Sequence, residues 1–211
     1  INKKIKIFSD IKLMTHFACA DEENSEHVLY QIRNFNDFCN QISKNKNLKL
    51  LTSASNSKAL LNYHPETNYN IIRPGLMLYG IKPNHNNNSN LLPVMELRAK
   101  IIAIKDIKKG EGVGYGQRWI ASENTKLAVI SIGYADGYYA GALDGTPVLI
   151  KSFRVPLVGK VSMDSIVVNI NILNKNNISL NIGDEAILWG KNLPVSEVAK
   201  KMGCSVYSLL T

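Results

Sequence analysis

The pattern of apolar residues changes once along this chain, and that change limits the folds open to it. Before residue 82, short apolar segments alternate with a helical stripe; after residue 90, most apolar runs are short, β-branched and bounded by Gly, Asp or Asn. Ile5 to Thr15 predicts a buried parallel strand that delivers Thr15 and His16 at its C-terminal edge. Val28, Ile32, Phe35, Cys39 and Ile42 recur at spacings of four, three, four and three, which places them on one helix face and leaves His27 and Arg33 on the wet side. Lys49 to Ser53 predicts a second strand, Asn56 and Ser57 an N-cap, and Lys58 to Tyr63 a brief helix ending near His64 and Pro65. Ile71, Ile72 and then Leu76 to Tyr79 predict a further strand, interrupted by Arg73, Pro74 and Gly75. The repeated β/α order over residues 1–82 predicts part of an α/β barrel of the TIM type.

The polar run Lys82 to Asn90 (KPNHNNNSN) has linker composition and marks a domain boundary. Beyond it, residues 91–211 predict a mainly β domain with strands at Leu97 to Ile104, Leu127 to Ile132, Val148 to Ile150, Val155 to Val158, Ile166 to Ile170 and Ala186 to Trp189. Leu193 to Met202 carries a Pro, a Ser/Glu pair and helical spacing, and predicts one closing helix.

Composition excludes several function classes. The net charge of +8 would suit a nucleic-acid face, but the lysines are dispersed among Asn and Ile, as in Lys44 to Lys49 and Lys105 to Lys109, without interleaved aromatics or a groove-reading motif. The three cysteines, Cys19, Cys39 and Cys204, sit at unrelated spacings with no zinc-ligand pattern, so a reducing cytoplasm and no metal are expected. No apolar run approaches the roughly 20 residues that span a bilayer, and the chain opens on Ile1 with no apolar leader. A soluble protein cut at its start is the expectation.

Several residues could carry chemistry. Asn56 and Ser57 at a helix start offer N–H groups, a hydroxyl and a positive dipole end that suit phosphate, although such residues also cap ordinary helices. Arg73-Pro74-Gly75 places a permanent cation beside a close-approach backbone, or forms a surface turn. His16 at a strand end is a site residue or a satisfied core histidine. Tyr115, between Gly114 and Gly116, holds a phenol on a free backbone; a phenol serves as a base when a hydrogen bond or cation stabilises its anion. Gly133 to Tyr138 (GYADGY) and Gly159 to Asp164 (GKVSMD) combine loop glycines with Tyr and Asp, which hairpins also do.

Together with Met14 to Asp21 (MTHFACAD), Ile72 to Gly80 (IRPGLMLYG) and Val113 to Gly116 (VGYG), the order and spacing of these motifs resemble the C-terminal part of the alanine racemases. The resemblance covers essentially the whole chain. It implies a type III pyridoxal-phosphate (PLP) fold, a cytoplasmic homodimer whose active sites are shared between subunits, and interconversion of L- and D-alanine for peptidoglycan. It further implies that Asn56, Ser57, Gly75 and Leu76 hold the PLP phosphate, that Arg73 faces the pyridine nitrogen, and that His16 links Arg73 to the catalytic Tyr115. Met163 N–H would bind the substrate carboxylate, with Tyr134, Asp164 and Asp21 nearby. The family's PLP lysine would lie upstream of Ile1, leaving this chain alone inactive. Tyr139 and Ala140 stand where the family has Pro-Arg, and Lys160 where an Arg is common. A serine or broad-spectrum racemase, or a non-catalytic half needing a partner chain, are the alternatives.

Overall fold

In the computed structural model, which describes residues 10–20, 25–44, 49–63, 65–82 and 90–211, the chain divides into two units, residues 1–92 and 93–211. Ile5 to Ser9, Asp21, His64 and most of the expected linker lie outside the described residues.

Three parallel strands form the first unit's sheet in the order β1 (Asp10–Met14), β2 (Lys49–Asn56), β3 (Ile71–Arg73). Parallel neighbours need a crossover, and helix α1 (Glu26–Ser43) supplies it between β1 and β2. Its buried residues, Val28, Ile32, Phe35 and Cys39, are four of the five the spacing places on this face, with Ile42 half-buried, and they pack with Phe17, Ala20, Ala54, Ala59 and Tyr63. Each of Val28, Ile32 and Phe35 contributes about 1.5–3 kcal/mol by leaving water. The Ser25 N–H donates to the Tyr63 hydroxyl at 2.9 Å, fixing where the helix starts, and Phe35 meets Tyr69 edge-on at 5.2 Å. Helix α2 (Ser57–Asn62) follows β2 directly.

Three expectations for this unit need correction. Strand β1 is not buried, its residues alternating between exposed and half-buried. Strand β2 runs past Ser53 to Asn56, so it carries its polar end to the start of α2. Leu76–Tyr79 is a 3₁₀ turn and not a strand: Pro74 has no N–H for a ladder, and the chain turns on Leu78 N–H to Gly75 O and Gly80 N–H to Met77 O, both 3.0 Å.

In the second unit β4 (Leu97–Ile107) is the spine. The short strands β5 (Gly112–Val113) and β6 (Trp119–Ile120) pair with each other, while β7 (Thr125–Ile130), β8 (Pro147–Ile150), β9 (Phe153–Pro156), β10 (Ile166–Asn169) and β11 (Glu185–Trp189) join β4 in a six-stranded antiparallel sheet. The sheet order is β10-β7-β4-β11-β8-β9, and Leu157 just beyond β9 bridges Val168 of β10, with Val158 N–H donating to Val167 O at 2.9 Å. The two ends of the sheet therefore meet in a closed ring, which removes its edges. Ile101, Ile130, Val148, Ile150, Leu157, Ile166 and Leu188 fill the interior.

The helical content exceeds the single closing helix expected. Helix α4 (Val195–Met202) is present, but its Ser/Glu pair makes no capping box: Pro194 is the N-cap and Glu197 instead takes both Nε and Nη2 of Arg154, at 2.8 and 3.0 Å. The short helices α3 (Asn171–Lys175) and α5 (Tyr207–Leu210) have no periodic signal. Asn171 Oδ1 accepts from Lys126 N–H at 2.8 Å, so α3 is fixed by a tertiary contact and not by propensity. Among the described residues no helix is long and apolar enough to cross a membrane.

Tyr138 and Trp189 stack at 6.4 Å, and both the Tyr138 hydroxyl and Trp189 Nε1 are buried without a partner among the described residues. Burial, with a smaller contribution from Cys204, pushes the Tyr138 phenol far above its ordinary range, so it stays neutral. Tyr138→Phe keeps the stacked ring and removes an unsatisfied hydroxyl; the expected result is a gain of about 1 kcal/mol, read as a higher Tm.

Candidate active site

The C-terminal ends of the parallel strands gather the polar residues of the first unit. Arg73, at the end of β3, donates from Nη2 to the carbonyls of Thr15 at 2.7 Å and Ala54 at 3.4 Å, and from Nη1 to Ser53 Oγ. This fork ties β3 to the ends of β1 and β2 and holds a permanent cation there. His16 follows Thr15, and its Nε2 lies 3.5 Å from Asn56 Nδ2. Asn56 Oδ1 accepts from Ala59 N–H at 2.9 Å and so caps α2.

Ser57 then connects two turns. Its hydroxyl, 2% exposed as a residue, accepts from Met77 N–H at 3.2 Å, bringing the start of α2 against the 3₁₀ turn that begins at Leu76. The N–H groups of Gly75 and Leu76 have no acceptor among the described residues. A hydroxyl beside unfilled backbone donors at two helix starts is a donor set suited to a phosphate. Asn56→Ala removes the cap and the contact to His16; the Ala59 amide should exchange faster by the equivalent of about 1 kcal/mol, while Asn56→Asp should leave it protected.

The second unit brings its three motifs together. Val113 of β5 is anchored with Leu127 and Val158 in a small core. Gly114 follows at φ 73° and ψ −172°, a backbone reserved for glycine, and Tyr115–Gln117 form a 3₁₀ turn that leaves Tyr115 72% exposed. A Cβ on Gly114 would stand 3.3 Å from Lys160 N, and one on Gly159 would stand 2.8 Å from Val113 O. The Tyr115 turn therefore lies directly on the Gly159–Lys160 backbone.

The Gly133 loop meets the same segment further on. Tyr134 N–H donates to Ser162 O at 3.1 Å and Ala135 N–H to Met163 O at 2.9 Å, while Asp136 Oδ2 accepts from Gly133 N–H at 2.9 Å. Gly159 to Asp164 does cap the return from β9 to β10, as a hairpin loop would, but it is also the platform for both other motifs. Met163 N–H has no acceptor among the described residues, and Asp164 is exposed beside it. Sequence reasoning missed Ser53, whose hydroxyl accepts from Arg73, and the pair Arg118–Asp144, which hold backbone; these inward contacts leave no trace in spacing.

Residues 4–83 match the family profile described as alanine racemase, N-terminal domain, and residues 94–211 match alanine racemase, C-terminal domain. The alanine racemase of Shewanella sediminis is 46% identical over 209 residues, 98% of this chain and 55% of that protein. The biosynthetic alanine racemase of Pseudomonas aeruginosa superposes with a TM-score of 0.83 at 38% identity, over 94% of this chain and 53% of that one. The alanine racemase of Bartonella henselae with covalently bound pyridoxal phosphate gives 0.82 at 26% identity, over 94% and 53%. The chain thus spans about half the length of the curated relatives it matches. Its parallel β/α unit is part of a TIM-type barrel followed by a mainly β domain, and with both profiles matched in chain order the protein belongs to the alanine racemase family.

Proposed function

We propose that this chain forms the cofactor- and substrate-facing part of a PLP-dependent racemase of alanine, residues 1–82 supplying barrel strands and residues 91–211 the β domain. The Ser57 hydroxyl and the Gly75 and Leu76 N–H groups hold the cofactor phosphate, with Asn56 keeping α2 in place. When bound, PLP supplies an electron sink for a carbanion at the substrate Cα. Arg73 faces the pyridine nitrogen, and because a guanidinium is always protonated, and Nη2 already donates to two carbonyls here, it offers a fixed charge and no transferable proton. That favours proton exchange at Cα over transamination. His16 stands beside Asn56 at the strand ends that Arg73 ties together.

Tyr115 takes the Cα proton from L-alanine, Met163 N–H donates to the substrate carboxylate, and Tyr134 and Asp164 line the mouth. The observation that carries this reading is the stacking of the Tyr115 turn and the Gly133 loop on one platform, Gly159 to Asp164, whose Met163 N–H is uncommitted among the described residues. Tyr115, Ile120, Tyr134, Leu143 and Met163 all stand exposed in this unit, an apolar set that a second subunit would cover, in keeping with a homodimer that shares its sites.

The test is chiral detection of D-alanine formed from L-alanine with added PLP, in this chain joined to the remaining barrel strands. Turnover above the free-PLP background is expected; background turnover in the joined, PLP-binding protein overturns the reading.

A further inference from the structure

We propose that Arg118 and Asp144 are a positioning pair for the reaction, holding the Tyr115 turn and the Met163 loop at a fixed separation by gripping the N–H and the carbonyl of Gly159. The inference rests on the roles proposed above for Tyr115 and Met163.

Arg118 is the C-cap of the 3₁₀ turn that carries Tyr115. Its Nη2 lies 2.7 Å from Gly159 O, 3.1 Å from Asp144 Oδ1 and 3.2 Å from Ala142 O. Asp144 Oδ1 in turn accepts from Gly159 N–H at 2.7 Å. The carbonyl and the N–H of one glycine are thus both held, by two side chains that also hold each other. On its other side Gly159 lies against Val113, and Gly114 lies against Lys160. The segment Gly159 to Met163 is therefore pinned to the Tyr115 turn at Val113–Gly114 before Tyr115 and at Arg118 after it.

The ion pair itself is a minor part of this. With side chains 28% and 35% exposed it is screened, and such pairs contribute little alone. The backbone bonds to Gly159 carry the effect, since a carbonyl and an N–H held together cannot rotate past their neighbours. Only three residues separate Gly159 from Met163, so a small rotation at Gly159 is carried to the group that would orient the substrate carboxylate. A base acts only on a Cα proton presented at the right place, and misplacement by a fraction of an ångström is costly.

The experiment combines amide hydrogen exchange with steady-state kinetics on the PLP-loaded protein as expressed in its native host, for Arg118→Gln, Asp144→Ala, the double variant and Asp144→Asn. Expected for each of the first two is about tenfold faster exchange at Gly159 and in the Tyr115 turn, about a tenfold lower kcat, and unchanged PLP affinity. The double variant should be no worse than either single one, because Arg118 and Asp144 hold each other and the grip on Gly159 fails as a unit. Asp144→Asn keeps an acceptor for Gly159 N–H and should retain most of kcat. Unaltered exchange at Gly159 overturns the proposal, and so does faster exchange with kcat intact, which would leave the pair merely structural. Unchanged turnover in Tyr115→Phe would remove the underlying reading while leaving the exchange result standing, so the two failures are distinguishable.

Discussion

Replacing Tyr115 by phenylalanine is expected to lower the rate of proton abstraction from L-alanine by about 10²–10⁴-fold, the range a positioned acid–base group supplies. The reason is that nothing else in the turn depends on the hydroxyl. Gly114 and Gly116, at φ 73° and 68°, set the backbone, and Val113 anchors it in the small core with Leu127 and Val158. The ring is exposed, so its loss of one oxygen removes no buried hydrogen bond and should leave Tm within the scatter of surface substitutions, about 0.5 kcal/mol. PLP affinity should persist, because the residues proposed to hold the phosphate belong to the other unit. Deuterium uptake at Cα gives a sharper measurement than turnover. Washing-in of solvent deuterium from L-alanine should collapse, while exchange starting from D-alanine, whose proton leaves the opposite face, should fall less. Equal loss in both directions would mean that Tyr115 orients substrate and is not a base on one face.

Gly133→Ala should have the largest structural effect of any single methyl in the second unit. A Cβ there would stand 2.1 Å from Met163 O and 2.4 Å from both Met163 C and Ser162 O, and these are backbone atoms with no flexible end to swing away. To admit the methyl, the two loops must separate by more than an ångström, breaking Tyr134 N–H to Ser162 O and Ala135 N–H to Met163 O. Overpacking and two lost bonds together cost about 2–4 kcal/mol, a fall in Tm of roughly 10 °C for a unit of this size. Activity should fall further than stability predicts, because Met163 itself moves. A variant with normal Tm and normal KM for alanine would show that the contact between the loops is slack and that the site does not depend on it.

Much of this architecture is legible in the residues because burial leaves a period behind it. The α1 face of Val28, Ile32, Phe35 and Cys39 is readable since one side of a helix must leave water, and the β-branched runs of the second unit mark strands that line a closed ring. Leu76 to Tyr79 misleads for the same reason: four apolar residues in a row look like a strand, and only the missing N–H of Pro74 argues otherwise. Among the candidate residues, His16, Asn56, Ser57 and Arg73 in the first unit and Tyr115 in the second stand out because polar groups next to Gly, Pro or a strand end are costly unless they are used. Ser53, Arg118 and Asp144 do not, since their work is to satisfy carbonyls and N–H groups distant in sequence, and no local pattern records which backbone a side chain will reach.

The ring of the second unit has a keystone, and it comes last. Strand β11 lies between β4 and β8, so until residues 185–189 have been synthesised, a gap separates strands that are otherwise complete. On a ribosome adding about 5–20 residues per second, β4 waits several seconds with one edge bare after its own exit. The nascent chain can form β7 against β4 and β9 against β8, but the cylinder shuts only when Ala186 slots beside Ala99 on one side and Ile150 on the other. Late closure by a distant strand makes folding slow and leaves the growing polypeptide open to chaperones, or to a second chain, for as long as that place is unfilled.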